Sequence, residues 1–262
     1  MGDPVRKAAV VTHGRPETIG DALARLEQVA AEHGVELVPE GEPADLAVVL
    51  GGDGTMLRAF QRFLGMDIPV IGVNFGRVGF LASIRGSDLE AGLRRAFAGD
   101  YRVIELATLD AETGGERRPA VNDVVAASAT LGRMVELAWA VGGEELGVMP
   151  CDGLICSTPT GSTAYNLSNG GPVLVWGLDA MAVTFVAPHS LDARPLVVPR
   201  SRDLVVTNRT TGVGVTVIVD GHPFGELGTG ESVTVRLSDQ SCLLATLPER
   251  TFFRRYRETF TS

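Results

Sequence analysis

Short apolar runs alternate with helically spaced apolar positions through the first third of the chain. Ala8 to Val11 predicts a strand, and Ile19, Leu23, Leu26 and Ala30 predict one face of a helix from Thr18 to His33, ended by Gly34. Val35 to Val38 and Leu46 to Leu50 read as further strands, Met56 to Leu64 as a buried helix, and Ile68 to Val73 as another buried strand. Ser87-Asp88-Leu89-Glu90 has the form of a capping box, after which Leu89, Leu93 and Phe97 stripe a helix that stops at Gly99. Strands alternating with helices imply βαβ units, hence an α/β domain with a parallel sheet.

After Gly99 the period drops to two. Val213, Val215, Val217 and Val219 alternate before the turn at Asp220-Gly221, and Val233, Val235 and Leu237 alternate after Gly228-Thr229-Gly230. That spacing suits half-buried antiparallel strands, so a second, β-rich domain is expected. The tail from Thr251 mixes Phe252, Phe253, Tyr256 and Phe260 with Arg254, Arg255 and Arg257, and is read as packing its rings back on the body. The expected division is 1–99 for the α/β domain, with 249–262 returning to it, and 100–248 for the β-rich domain.

Composition narrows the function. With 262 residues, 45% of them hydrophobic, the chain can bury a core unaided. No run approaches the roughly 18 apolar residues of a membrane span, and Met1 to Lys7 lacks a secretory pattern, so a cytoplasmic protein without membrane partners is expected. A net charge of −9 argues against nucleic acid as partner. Lys7 is the only lysine, which excludes a Walker A loop, a mid-chain kinase lysine and a Schiff-base lysine in the body of the chain. Any phosphate must be met by backbone amides, arginines and a metal ion. Cys151, Cys156 and Cys242 lack zinc spacing and are read as reduced and structural, and His13, His33, His189 and His222 form no ligand pair.

The most pointed chemistry follows the strand Leu46 to Leu50, where Gly51-Gly52-Asp53-Gly54-Thr55 leads into the predicted helix. Unpaired amides and the helix dipole suit phosphate oxygens there. Glycines there are expected to supply positive φ angles and to let a ligand approach the main chain. A carboxylate amid phosphates needs another task, such as taking a proton from an attacking hydroxyl or helping to hold magnesium. Taken alone, Gly51-Gly52-Asp53-Gly54 also fits a strand-to-helix turn with an Asp cap.

A second segment, Asp152 to Ser168, is too polar and small for an ordinary core strand and loop. Its hydroxyls and amides can bond ribose, amide or adenine edges, and Tyr165 offers a ring and a phenol.

With these segments on the page, the chain strongly resembles the NAD kinase family. The resemblance rests on Gly51 to Thr55, Gly72 to Leu81, Ala120-Val121-Asn122-Asp123-Val124, Thr158 to Ser168 with Gly170-Gly171-Pro172, and Pro188 to Pro195, in the family's order. The first motif is shared with diacylglycerol-type lipid kinases and phosphofructokinases; Asn122-Asp123 and Thr163-Ala164-Tyr165 separate this chain from both.

The resemblance implies a Rossmann-like α/β domain of phosphofructokinase and diacylglycerol-kinase type plus a C-terminal β-rich domain. It implies transfer of the γ-phosphoryl of ATP, or of polyphosphate, to the 2′-hydroxyl on the adenosine ribose of NAD, with Asp53 taking the proton. Gly51, Gly52, Gly54 and Thr55 would cradle the donor phosphates, with Asn74 near them and Mg2+ arriving with the donor rather than on a protein-only site. On the NAD side it implies Asp53, Gly54, Phe80, Asn122, Asp123, Asp152, Thr160, Thr163, Ala164, Tyr165 and Ser168, with Phe80 against adenine. Arg133 is either a further nucleotide contact or a hairpin arginine. The family also implies a homodimer or homotetramer.

His222 stands where many relatives carry glutamine, and its ring can still donate and accept. Asn169 stands where alanine is common. No Gly-x-Gly-x-x-Gly fingerprint occurs, so NAD is expected as substrate and not as hydride carrier. A lipid or sugar kinase using the Asp53 loop would leave Asn122, Asp123 and Tyr165 without work. A non-catalytic NAD(P)-binding module would bind the dinucleotide without transfer.

Overall fold

A parallel ladder opens the computed structural model, which describes residues 3–12, 16–76 and 79–261. β1 (Lys7–Thr12), β2 (Glu36–Val38), β3 (Leu46–Leu50) and β4 (Val70–Asn74) pair in the order β2-β1-β3-β4, every pair parallel. Every residue of β3 and β4 is buried, as parallel strands covered on both faces require. The crossovers are α1 (Pro16–His33) and α2 (Asp53–Phe63). β5 (Ile84–Arg85) lies parallel to β4, and α3 (Leu89–Phe97) packs on α1. Gly34 and Gly99 follow α1 and α3 with φ of +67° and +81°, the left-handed geometry that ends a helix at little cost in glycine.

Leu26 and Ala30 of the expected α1 face are buried together with Ala22 and Val29, with Ile19 and Leu23 half-buried at the margin. One local expectation needs correction: no capping box forms at Ser87. Gly86–Asp88 is a 3-10 turn, Asp88 makes no side-chain cap bond, and Glu90 reaches across to Arg25 at 2.6 and 2.7 Å. That bidentate pair holds the Glu90 carboxyl down to about 2 and wins over the local cap.

The β-rich part begins with β6 (Arg102–Thr113), β7 (Glu116–Ala120), β8 (Asp123–Ser128), β9 (Val135–Val141), β10 (Glu144–Cys151) and β11 (Gly153–Ser157). A single helical turn, α4 (Tyr165–Ser168), separates these from β12 (Ala180–Val186), β13 (Leu196–Pro199), β14 (Leu204–Asn208), β15 (Val215–Val219), β16 (His222–Leu227) and β17 (Ser232–Thr246). One antiparallel sheet runs β13-β12-β11-β8-β15-β16. Facing it, β10, β9 and β14 pair in sequence with the first half of β17, which also pairs with β6. Val124, Leu154, Val183 and Val217 from one sheet and Val135, Leu137, Leu204 and Val235 from the other share one core, so this part is a sandwich.

The chain divides into two compact units, Met1–Glu105 with Cys242–Ser262, and Leu106–Ser241. These limits differ by several residues from those expected at 99/100 and 248/249. The 15-residue β17 runs through the second limit, and its Leu244 pairs with Val70 of β4 in the first unit. α5 (Phe252–Phe260) follows, with Phe252 and Phe260 packing their rings against Phe80 at 5.3 and 6.2 Å.

Candidate active site

In the first unit, β3 delivers the chain to Gly52, which is the N-cap residue of α2, so Asp53 is the first helical residue and not part of a preceding loop. The amides of Gly52, Asp53 and Gly54 are those that helix geometry leaves without an intrahelical carbonyl. A Cβ on Gly52 or Gly54 would meet nothing within 4 Å, so that side is open to a ligand, whereas Gly51 is packed against the buried Thr55 side chain. Positive φ is not the reason for these glycines: Gly52 sits at −91°, and none of the three is among the positive-φ residues. Close main-chain approach is the requirement that remains.

The Asp53 carboxylate is aimed by a second loop. Phe80 N–H donates to Oδ2 at 2.6 Å and Leu81 N–H to Oδ1 at 3.2 Å, while a Cβ on Gly79 would overlap the carboxylate, so only glycine leaves it room. Two bonds leave an ionised carboxylate with acceptor positions to spare. Buried Asn74 shapes the entry to this loop by accepting the Gly76 N–H at 2.9 Å. Arg77 and Val78 of the same motif lie outside the described residues, as does His13. Phe80 is only 7% exposed, its ring covered by α5, so its visible contribution is the backbone donor.

In the second unit a separate group gathers at one end of β8 and β11. Asp220 accepts from the N–H groups of Val121, Asn122 and Asp123 at 2.8, 2.7 and 3.1 Å, fixing the Asn122-Asp123 backbone. Burial, with the Asp220 charge adding, pushes the Asp123 carboxyl up to about 7. Thr158 binds the Asn122 carbonyl through its N–H and the Val121 carbonyl through its hydroxyl. Gly161 approaches Asn122 so closely that no side chain would fit. Among the described residues the buried Thr160 hydroxyl finds no partner, an orphaned group of the kind a bound polar ligand would satisfy. Thr163, Ala164, the exposed Tyr165 and Ser168 continue the same wall. His222 begins β16 at this end, its Nδ1 3.0 Å from the Asp220 carbonyl; that oxygen only accepts, so Nδ1 carries the proton.

Arg133 and Asp152 are not brought into this group. Ser157 pairs with Asp123 at one end of β11 and Gly153 with Ala127 at the other, and Asp152 adjoins Ser128 at that far end. Arg133 is exposed in the turn beyond Ser128. The lone lysine, Lys7, pairs with Glu36 on β2. Cys151, Cys156 and Cys242 are buried thiols, and burial pushes Cys151 up to about 12.

The comparisons with known proteins decide the family. The ATP-NAD kinase N-terminal domain model matches residues 17–101, and the ATP-NAD kinase C-terminal domain model matches 121–247. An NAD kinase of Heliobacterium modesticaldum is 43% identical over 98% of this chain and 87% of its own. The chain belongs to the NAD kinase family. A Gemmatimonas aurantiaca NAD kinase is 39% identical over 87% of this chain and 80% of its own. Among solved structures, an Archaeoglobus fulgidus NAD kinase in complex with ATP superposes with a TM-score of 0.76 at 29% identity, covering 96% of this chain and 98% of that one. Yeast NADH kinase complexed with NADH shares the fold, with a TM-score of 0.83 at 22% identity, covering 99% and 88%.

Two residues behind these groups carry no conspicuous sequence signal. Asp220 reads only as a turn residue, and Arg255 of α5, which donates to the Phe80 carbonyl at 2.9 Å, as part of a basic tail. Its three-residue spacing from buried Phe252, which places both on one helical face, is the signal that could have marked it.

Proposed function

We propose that the chain is an NAD kinase that transfers the γ-phosphoryl of ATP, or a terminal phosphoryl of polyphosphate, to the 2′-hydroxyl on the adenosine ribose of NAD, yielding NADP. The observation that carries this reading is the Asp53 carboxylate, fixed by two backbone donors at the start of α2 in a chain of this family. Asp53 orients the hydroxyl and receives its proton as the new O–P bond forms. The bond from the γ-phosphorus to the bridging oxygen breaks, and ADP leaves with that electron pair. The amides of Gly52, Asp53 and Gly54 face the donor phosphates.

NAD is assigned to the group built on Asn122, Asp123, Thr160, Thr163, Ala164, Tyr165, Ser168 and His222. Asn122, the Thr160 hydroxyl and His222 Nε2 supply hydrogen-bonding groups, and Tyr165 supplies a ring. Arg133 and Asp152 stand outside that group.

Among the described residues no three His, Cys, Asp or Glu gather as a metal cage. The residues present fit magnesium that arrives on the donor's phosphate oxygens, with Asp53 the carboxylate nearest the phosphate-facing amides. There the ion would spread the charge that a lysine covers in other kinases. No helix among the described residues is long and apolar enough to cross a membrane, and we place the enzyme in the cytoplasm. Exposed Leu146 and Val148 on the outermost strand β10 favour a homodimer or homotetramer.

The test is incubation with NAD, ATP and magnesium beside Asp53→Asn, with NADP read by an NADP-specific coupled dehydrogenase. NADP from the wild type alone supports both reaction and base. No NADP, with polyphosphate also tried, would overturn the reading.

A further inference from the structure

Arg255 is among the largest fully buried side chains, at 1% exposure, and it reaches into the unit from the returning helix α5. All five of its N–H donors are used. Nε donates to the Arg250 carbonyl at 3.2 Å; Nη1 to the carbonyls of Phe80 and Ala82 at 2.9 and 2.7 Å; Nη2 to the hydroxyls of Ser83 and Thr246 at 2.9 and 2.8 Å. Only a guanidinium presents so many donors in a fixed fork. Burial and Arg250 lower its proton affinity, while the charges of Asp53 and Glu258 act in the opposite sense. With five acceptors it remains a cation at neutral pH.

One of those acceptors belongs to the catalytic arrangement. The Phe80 carbonyl and the Leu81 N–H are the two ends of a single peptide group: Arg255 holds its oxygen, and its N–H holds Asp53 Oδ1. A peptide group is rigid and planar, so fixing the oxygen fixes the direction of the N–H. Cationic donation to the oxygen also polarises the group and strengthens its N–H as a donor.

We propose that Arg255 is a positioning residue for Asp53, acting through the Phe80–Leu81 peptide, so that the C-terminal helix sets the aim of the base. This rests on the reading of Asp53 as the base. It makes Arg255 part of the transfer apparatus without contact with either substrate.

The test uses the full chain with NAD, ATP and magnesium, comparing Arg255→Lys, Thr246→Val and Asp53→Asn by kcat, KM for NAD and melting temperature. Lysine keeps the charge but loses the fork, and kcat is expected to fall at least about tenfold with KM for NAD held within about twofold. Thr246→Val removes an acceptor on the far side of the guanidinium and leaves the Phe80–Leu81 peptide held, so it should keep kcat within about twofold even where it lowers the melting temperature. A wild-type kcat in Arg255→Lys, or an equal kcat loss in the two variants at matched melting temperature, would overturn the proposal. If Arg255→Lys does not fold, Thr251→Ala, which removes the α5 cap, is read by hydrogen exchange: the Leu81 amide should exchange faster together with α5, and an unchanged Leu81 rate would overturn it. Asp53→Asn retaining turnover would instead remove the reading beneath it, a result distinct from any of these.

Discussion

Gly79 lies so close to Asp53 that a side chain at position 79 would occupy the space of the carboxylate. Gly79→Ala should therefore displace the base without touching the NAD group in the other unit. A kcat loss of at least about tenfold with little change in NAD half-saturation is expected, measured by initial rates; full activity would mean that the carboxylate can turn away and still work.

Asp53→Asn should lower turnover by at least about a hundredfold while NAD binding stays within a few-fold, as loss of a general base requires. Steady-state kinetics paired with calorimetric NAD titration separates the two. Unchanged turnover would take the proton elsewhere.

Thr160→Val makes a sharper test of the NAD group. The buried Thr160 hydroxyl has no partner among the described residues, so its removal should leave the melting temperature unchanged or raised. If NAD satisfies that hydroxyl, KM for NAD should rise several-fold. A stable variant with normal KM would move the dinucleotide off this wall.

Much of this was legible in the chain because the governing forces are local. Alternation at Val215, Val217 and Val219 survives as buried positions on β15, and the glycines around Asp53 mark a strand-to-helix junction from spacing alone. What failed depended on partners far away in sequence. Ser87 and Glu90 make a good capping box until Arg25, 65 residues earlier, takes the glutamate. Asp220 looks like a turn residue until it is seen to accept from three amides of the Asn122 segment. No periodicity encodes either meeting.

Stability should carry the signature of Asp123. Its folded carboxyl sits at about 7 against an ordinary 3.8, raised by burial and then by Asp220, so the folded state binds this proton more tightly. The contribution is fully present below the unfolded value and is lost as pH rises through about 7, amounting to at most about 4 kcal/mol. Urea unfolding at pH 5 and pH 8 should show most of that loss, about 2–3 kcal/mol, in the wild type and much less of it in Asp123→Asn. An identical pH dependence in both would exclude Asp123 as its source.

Chelation should separate chemistry from folding. With EDTA, NADP formation should stop, while the melting temperature without nucleotide stays where it was. A fall in that temperature would reveal a metal held by the protein itself.

The first unit is built from two stretches of chain with the whole of Leu106–Ser241 synthesised between them. A ribosome that has made residues 1–105 has already supplied Asp53, Gly79 and the Phe80–Leu81 peptide, but not Arg255. A nascent chain thus carries Asp53 long before it carries Arg255. Any truncation that spares the glycine loop but removes α5 keeps Asp53 and loses Arg255, the donor to the Phe80 carbonyl.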